Sequence, residues 1–228
     1  PILVEVIRSA IRADDIHHPI SRLVILENTH NRCGGVVLSE KDTRDVADLA
    51  HERGMKVHLD GARIFNAAAA LNVPASRLTA PVDSVTFCLS KGLCAPVGSV
   101  LCGSKEFIQK ARRLRKMLGG GMRQAGIIAA GALYALEHNI ERLGEDHQHA
   151  RLLAEAIERS PGLQLDPAPQ TNIVVVHLEA NLGTSREFTK KLLERGVGAL
   201  PFGPQYFRLV THLDVKRPQI KQAGEIIE

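Results

Sequence analysis

Tryptophan is absent from this sequence, and tyrosine and phenylalanine number only two and six in 228 residues. Bases of single-stranded nucleic acid are held by stacking on aromatic rings, so a chain with so few of them is not expected to take a nucleic-acid partner. Cysteine is sparse too. Cys33, Cys88, Cys94 and Cys102 contain no C-x-x-C pair and are too few for a disulfide framework, so reduced thiols and a cytoplasmic location are expected. No apolar run reaches the ~18 residues that a membrane span requires, which excludes a membrane partner at this level of reading. An initiator methionine is also missing. The opening stretch PILVEVIRSAIRADD carries Glu5 and Arg8 among its apolar residues and has no cleavage-site pattern, unlike a signal peptide. The expectation is that an N-terminal section is lacking.

What is present is an ordinary folding composition. Hydrophobic residues make up 44% and charged residues 24%, enough for a sizeable core, and at ~100–200 residues per domain the length allows one large domain or one and a half. The net charge of +4 is a mild excess that suits an anionic small molecule. Apolar residues at 2, 3, 6, 7, 10 and 11 predict an amphipathic helix ending near Asp14. Leu23 to Leu26 reads as a buried strand, followed by the polar loop ENTHNRCGG and a helix from about Lys41 to Arg53 that stops at Gly54. Strand Lys56–Leu59, helix Ala62–Leu71 and strand Ser84–Leu89 continue the alternation, which predicts a largely parallel α/β sheet whose ligand crevice lies at the carboxyl ends of its strands. Val97–Leu101 is a further strand, KEFIQKARRLRKML a basic helix stopped by Gly119-Gly120-Gly121, and Met122 to Arg159 a helical region broken near 139–144. His147 and His149 within it are expected to be solvated. Beyond Pro161-Gly162 come a strand (Asn172–Leu178), a helix (Ser185–Arg195), a strand (Tyr206–Thr211) and a final helix. The expected division is residues 1–140 as the latter part of a large domain and 141–228 as a small carboxyl-terminal α+β domain.

Three polar features fall at strand ends: His58-Leu59-Asp60-Gly61-Ala62-Arg63, Ser90-Lys91-Gly92 and the GGGMRQ of 119–124. A lone Asp-Gly is usually a turn, and a lone Lys after a strand is usually solvated. Together they would put a carboxylate, an arginine and a lysine around one crevice, the charges that pyridoxal phosphate chemistry needs. Lys91 could form the Schiff base, Asp60 could keep the pyridine nitrogen protonated, and Arg63 or Arg208 could grip a substrate carboxylate with two parallel hydrogen bonds. His58 two residues before Asp60 resembles a metal pair, but no third ligand is in sight and no metal is expected. The basic helix has Ile108, Ala111, Leu114 and Leu118 at helical spacing, as in an ordinary amphipathic helix.

LENTHN (26–31), HLDGARIFNA (58–67), LSKGLCAPVGS (89–99), RKMLGGGMRQAG (115–126) and RLVTHLD (208–214), in this order, resemble the low-specificity L-threonine aldolases, fold-type-I pyridoxal phosphate enzymes whose neighbours are the aromatic amino acid β-eliminating lyases. The resemblance covers nearly the whole chain. It implies a fold-type-I transferase-like large domain, present in part, and reversible cleavage of L-threonine or L-allo-threonine to glycine and acetaldehyde. It further implies Lys91 as the Schiff-base lysine, Asp60 as the partner of the pyridine nitrogen, and Arg63 and Arg208 on the substrate carboxylate. His30 would lie near the β-hydroxyl, with Lys116 near the cofactor phosphate and Arg123 reaching it from a neighbouring subunit of a homodimer or homotetramer. Ser90 and Asn31 would add contacts or serve only their loops. The family's long N-terminal section, with a Gly-Thr phosphate turn and a histidine that stacks on the cofactor, has no counterpart here. A β-eliminating or other fold-type-I activity, and a truncated chain without catalysis, are the alternatives.

Overall fold

Strand period and helix period alternate along the first half of the chain, and the structure, a computed structural model describing residues 4–228, turns that alternation into an α/β layer. Helix α1 (Val4–Ala10) is followed by β1 (Leu23–Glu27), α2 (Glu40–Glu52), β2 (Lys56–Asp60), α3 (Ile64–Leu71), a short α4 (Ala75–Thr79) and β3 (Ser84–Cys88). Strand β4 (Ser99–Gly103) then precedes α5 (Lys105–Met117) and α6 (Gly126–His138). Residues 2 and 3 of the expected first helix lie outside the described residues. The sheet order is β1-β2-β3-β4, parallel across the first three strands and antiparallel at β4.

Side chains alternate across each strand, so one face of this sheet is dry and the other is not. Leu26, Val57 and Leu59 are buried on the face covered by α2, whereas Leu23 and Ile25 are 52% and 62% exposed. The sequence suggested a wholly buried β1; its edge position and the two-residue period expose half of it. Helix α2 begins with a capping box, in which the Ser39 hydroxyl accepts from the Asp42 N–H and the Asp42 carboxylate accepts from the Ser39 N–H. Asp83 ties this layer together at the amino end of β3: it accepts from Lys56 Nζ at 2.8 Å, from the Val57 N–H at 2.8 Å and from the His51 ring at 2.8 Å.

By contacts the chain sorts into two units, one running up to Thr29 and over Leu38–Ile140, the other made of His30–Val37 and Glu141–Glu228. In the second unit an antiparallel sheet of order β5-β6-β8-β7 (Leu163–Leu165, Ile173–Leu178, Tyr206–Val210, Leu200–Gly203) packs with α7 (Leu143–Arg159), α8 (Ser185–Glu194) and α9 (Arg217–Ile227). Its core gathers Ile157, Val174, Val176, Leu178, Leu192, Phe207, Leu209 and Ile220. Five of these lie on β6 and β8, the two central strands of that sheet. His147 and His149 do not face water as expected. They are 3% and 2% exposed because the buried face of α7 is wide enough to take in positions 146, 147, 149 and 150. Burial lowers the His147 ring to about 4, with Asp146 pulling the other way. No helix of the described residues is long and apolar enough to cross a membrane.

Candidate functional site

In the first unit the site residues sit where parallel strands end. Asp60 closes β2, and its Oδ1 accepts from the Ala62 N–H at 3.0 Å, a turn that aims the carboxylate back over its own strand end. Gly61 is required there: its N–H donates to the Thr86 carbonyl at 2.8 Å, and a Cβ on it would meet that same oxygen at 2.8 Å. Beside Asp60, His58 is bonded through Nδ1 to Ser84 Oγ at 2.8 Å and lies 3.4 Å from Thr86 Oγ1, so it braces β2 against β3. Arg63 is the residue that opens α3. No described group of three or more His, Cys, Asp or Glu side chains is placed to hold a metal.

Lys91 lies three residues past the end of β3, in the connection that returns as β4. Main-chain bonds close that loop at both ends, from Leu89 N–H to Gly98 O, from Ala95 N–H to Leu89 O and from Cys94 N–H to Lys91 O, at 2.8–2.9 Å. Because β2 and β3 are adjacent and parallel, Asp60 and the start of the Lys91 loop share one sheet end. Lys91 itself is exposed, so the described residues do not desolvate its amine. No described acid pairs with its ammonium, and no described base pairs with Asp60.

Lys116 is in the last turn of α5 and Arg123 in the loop beyond it, both exposed. The triple glycine, expected at a strand end, instead follows a helix and folds back on that helix end: Gly120 N–H donates to Arg115 O at 2.8 Å, and a Cβ on Gly121 would meet Lys116 Cδ at 2.6 Å. The loop thus lays the lysine stem along bare backbone. No described contact links Lys116 or Arg123 to Asp60 or Lys91. Helix α5 buries no residue and α6 only Ala135, although Leu114, Met117, Ile127 and Tyr134 lie on them.

In the second unit, the turn carrying His30 and Asn31 is closed by His30 N–H to Val36 O at 3.0 Å and Gly35 N–H to His30 O at 2.9 Å. Thr171 Oγ1 donates to the Gly35 carbonyl at 3.0 Å, and the Val37 N–H donates to Gln170 Oε1 at 2.9 Å. The turn thereby meets β8, where Arg208 stands between Val175 of β6 and Leu200 of β7. Arg208 Nη1 donates to Asn31 Oδ1 at 2.7 Å, its guanidinium carbon lies 5.4 Å from the Phe202 ring centroid, and its Nε is buried without an acceptor. Arg208 has no described carboxylate partner. Sequence reasoning left Asn31 undecided and did not single out Phe202; neither carries a local signal, since each acquires its role only when β7, β8 and the turn are assembled.

The sequence pattern of the Beta-eliminating lyase family matches residues 2–181. The chain belongs to this family. Among its relatives is "Probable low-specificity L-threonine aldolase 2" of Arabidopsis thaliana, 47% identical over 211 residues, which span 90% of this chain and 59% of that protein. The low specificity L-threonine aldolase of Escherichia coli O157:H7 is 44% identical, over 94% of this chain and 62% of its own length. This family member therefore spans about three fifths of the length of the curated relatives it matches. Among solved structures, the threonine aldolase of Leishmania major superposes with a TM-score of 0.78 at 19% identity, over 99% of this chain and 66% of that one, a likeness of fold. The fold is the α/β, fold-type-I arrangement that the sequence motifs implied.

Proposed function

We propose that this chain carries the lysine, carboxylate and arginines of a pyridoxal-phosphate-dependent lyase that cleaves L-threonine or L-allo-threonine to glycine and acetaldehyde. The observation that carries the reading is the pair of charges at one sheet end: among the described residues, an aspartate with no cation at the end of β2 and a lysine with no anion in the loop that follows the adjacent β3. That donor set fits the cofactor, because an unpaired carboxylate can meet a pyridinium N–H and an amine free of a salt bridge can take up an aldehyde. When bound, pyridoxal phosphate supplies an electron sink for the pair released as the Cα–Cβ bond breaks. Asp60 would hold a proton on the cofactor's ring nitrogen, and Lys91 would supply the amine that anchors the cofactor through its aldehyde. Arg208 and Arg63 bind the substrate carboxylate and so fix which bond at Cα can break. His30 accepts the β-hydroxyl proton. Lys116 binds the phosphate, and Arg123 does so from a neighbouring subunit of a homodimer or homotetramer. The unburied α5 and α6 support that assembly, and four free thiols support a cytoplasmic location. The exposure of Lys91 favours a second reading, a chain that folds without catalysing.

Borohydride reduction in the presence of pyridoxal phosphate, followed by peptide mapping, tests both readings. The lyase reading expects the cofactor fixed on the peptide bearing Lys91, loss of that label in Lys91→Ala, and acetaldehyde release from threonine. Labelling spread over surface lysines with no acetaldehyde would leave the second reading.

A further inference from the structure

Arg208 is held by a neutral group, although an arginine half-buried between two strands would ordinarily be paired with a carboxylate. Its Nη1 rests on Asn31 Oδ1, its guanidinium lies over the Phe202 ring and its Nε is buried without an acceptor. An amide oxygen fixes a guanidinium in place without cancelling its charge, and an aromatic face supports the cation from below without supplying an anion. An aspartate at position 31 would offer the same oxygen in nearly the same place and neutralise the cation. We infer that Asn31 is a positioning residue, one that orients Arg208 while leaving its full charge to an incoming carboxylate. This deepens the proposed function and rests on its assignment of Arg208 to the substrate carboxylate.

A plain structural anchor and a charge-preserving positioner order the variants oppositely. If Asn31 only anchors the turn, Asn31→Asp keeps the acceptor and behaves like the parent, while Asn31→Ala is the damaged protein. If Asn31 preserves charge, Asn31→Asp is the worse of the two for anion affinity, even though its new ion pair leaves the fold as stable as the parent or more so. The probe is propionate, a carboxylate without the amine, titrated calorimetrically into the full chain loaded with pyridoxal phosphate. Thermal midpoints and the KM and kcat for threonine are measured beside it. The expected result is a propionate Kd raised at least tenfold in Asn31→Asp and by less in Asn31→Ala, with no fall in the Asn31→Asp midpoint, and with the threonine KM rising more than kcat falls. Equal propionate affinity in parent and Asn31→Asp, or no propionate binding by the parent, would overturn the inference. A parent that binds propionate with the expected variant order but releases no acetaldehyde would sink the lyase reading and leave the role of Asn31 standing.

Discussion

Asp83, whose side chain is about a quarter exposed, accepts from an ammonium, a backbone N–H and an imidazole at once. Burial alone would raise its carboxyl, but the Lys56 ammonium, the His51 ring and the Val57 N–H outweigh it and hold the group at about 2. A carboxyl depressed in the folded state stabilises fully above its unfolded value near 3.8 and loses that contribution as pH falls toward 2. Asp83→Asn should therefore cost about 1–2 kcal/mol at neutral pH, after discounting for partial solvent screening, and urea unfolding should find parent and variant converging below pH 4. His147 works in the other direction of charge. Its ring is lowered to about 4, so the folded protein refuses a proton that the unfolded chain accepts below its ordinary 6.5. Stability is lost as pH falls from 6.5 to 4, and His147→Gln should flatten the thermal midpoint across that window. A variant that keeps the parent's slope would show the charge penalty to lie elsewhere.

Helices α2 and α8 both open with reciprocal caps, Ser39 with Asp42 and Thr184 with Glu187. Each cap satisfies N–H groups that have no partner within the helix, so Ser39→Ala should lower stability by about 1 kcal/mol in denaturant unfolding, with Thr184→Ala similar. The helices themselves were legible in the sequence, since glycine stops and apolar periods are local; their caps were not read there. The elements that escaped are those whose reasons are not local. Strand β5 is only three residues long, and β7 carries Pro201, which an edge strand tolerates and a pattern reader takes for a break. The candidate site divides the same way. Asp60 and Lys91 were readable because each follows an apolar strand, whereas Asn31 meets Arg208 across 177 residues of sequence and no spacing rule could join them. The buried histidines of α7 were misjudged because a polar residue on a wide buried face looks the same in sequence as one on the wet side.

At the scale of the whole molecule, a ligand that binds only the folded chain must raise its stability by mass action. Pyridoxal phosphate at a hundred times its Kd should stabilise the protein by about 2.7 kcal/mol, seen as a rise in thermal midpoint. Asp60→Asn should reduce that rise and Lys91→Ala should remove most of it; an undiminished rise in both would place the cofactor elsewhere. The same scale shows a property of the chain's layout. Residues 30–37 belong with the carboxyl-terminal unit although the chain on either side of them belongs to the other, so the polypeptide passes between units at 29/30, 37/38 and 140/141. The smaller unit is thus not a cassette. A gene broken after Ile140 would give a downstream piece that has left its turn behind, with Thr171, Gln170 and Arg208 deprived of Gly35, Val37 and Asn31. Shuffling this unit between relatives by a single crossover at 140/141 would pair a turn from one parent with a strand from the other, so the exchange that preserves the match needs three crossovers, carrying eight residues from deep inside the neighbouring stretch of gene.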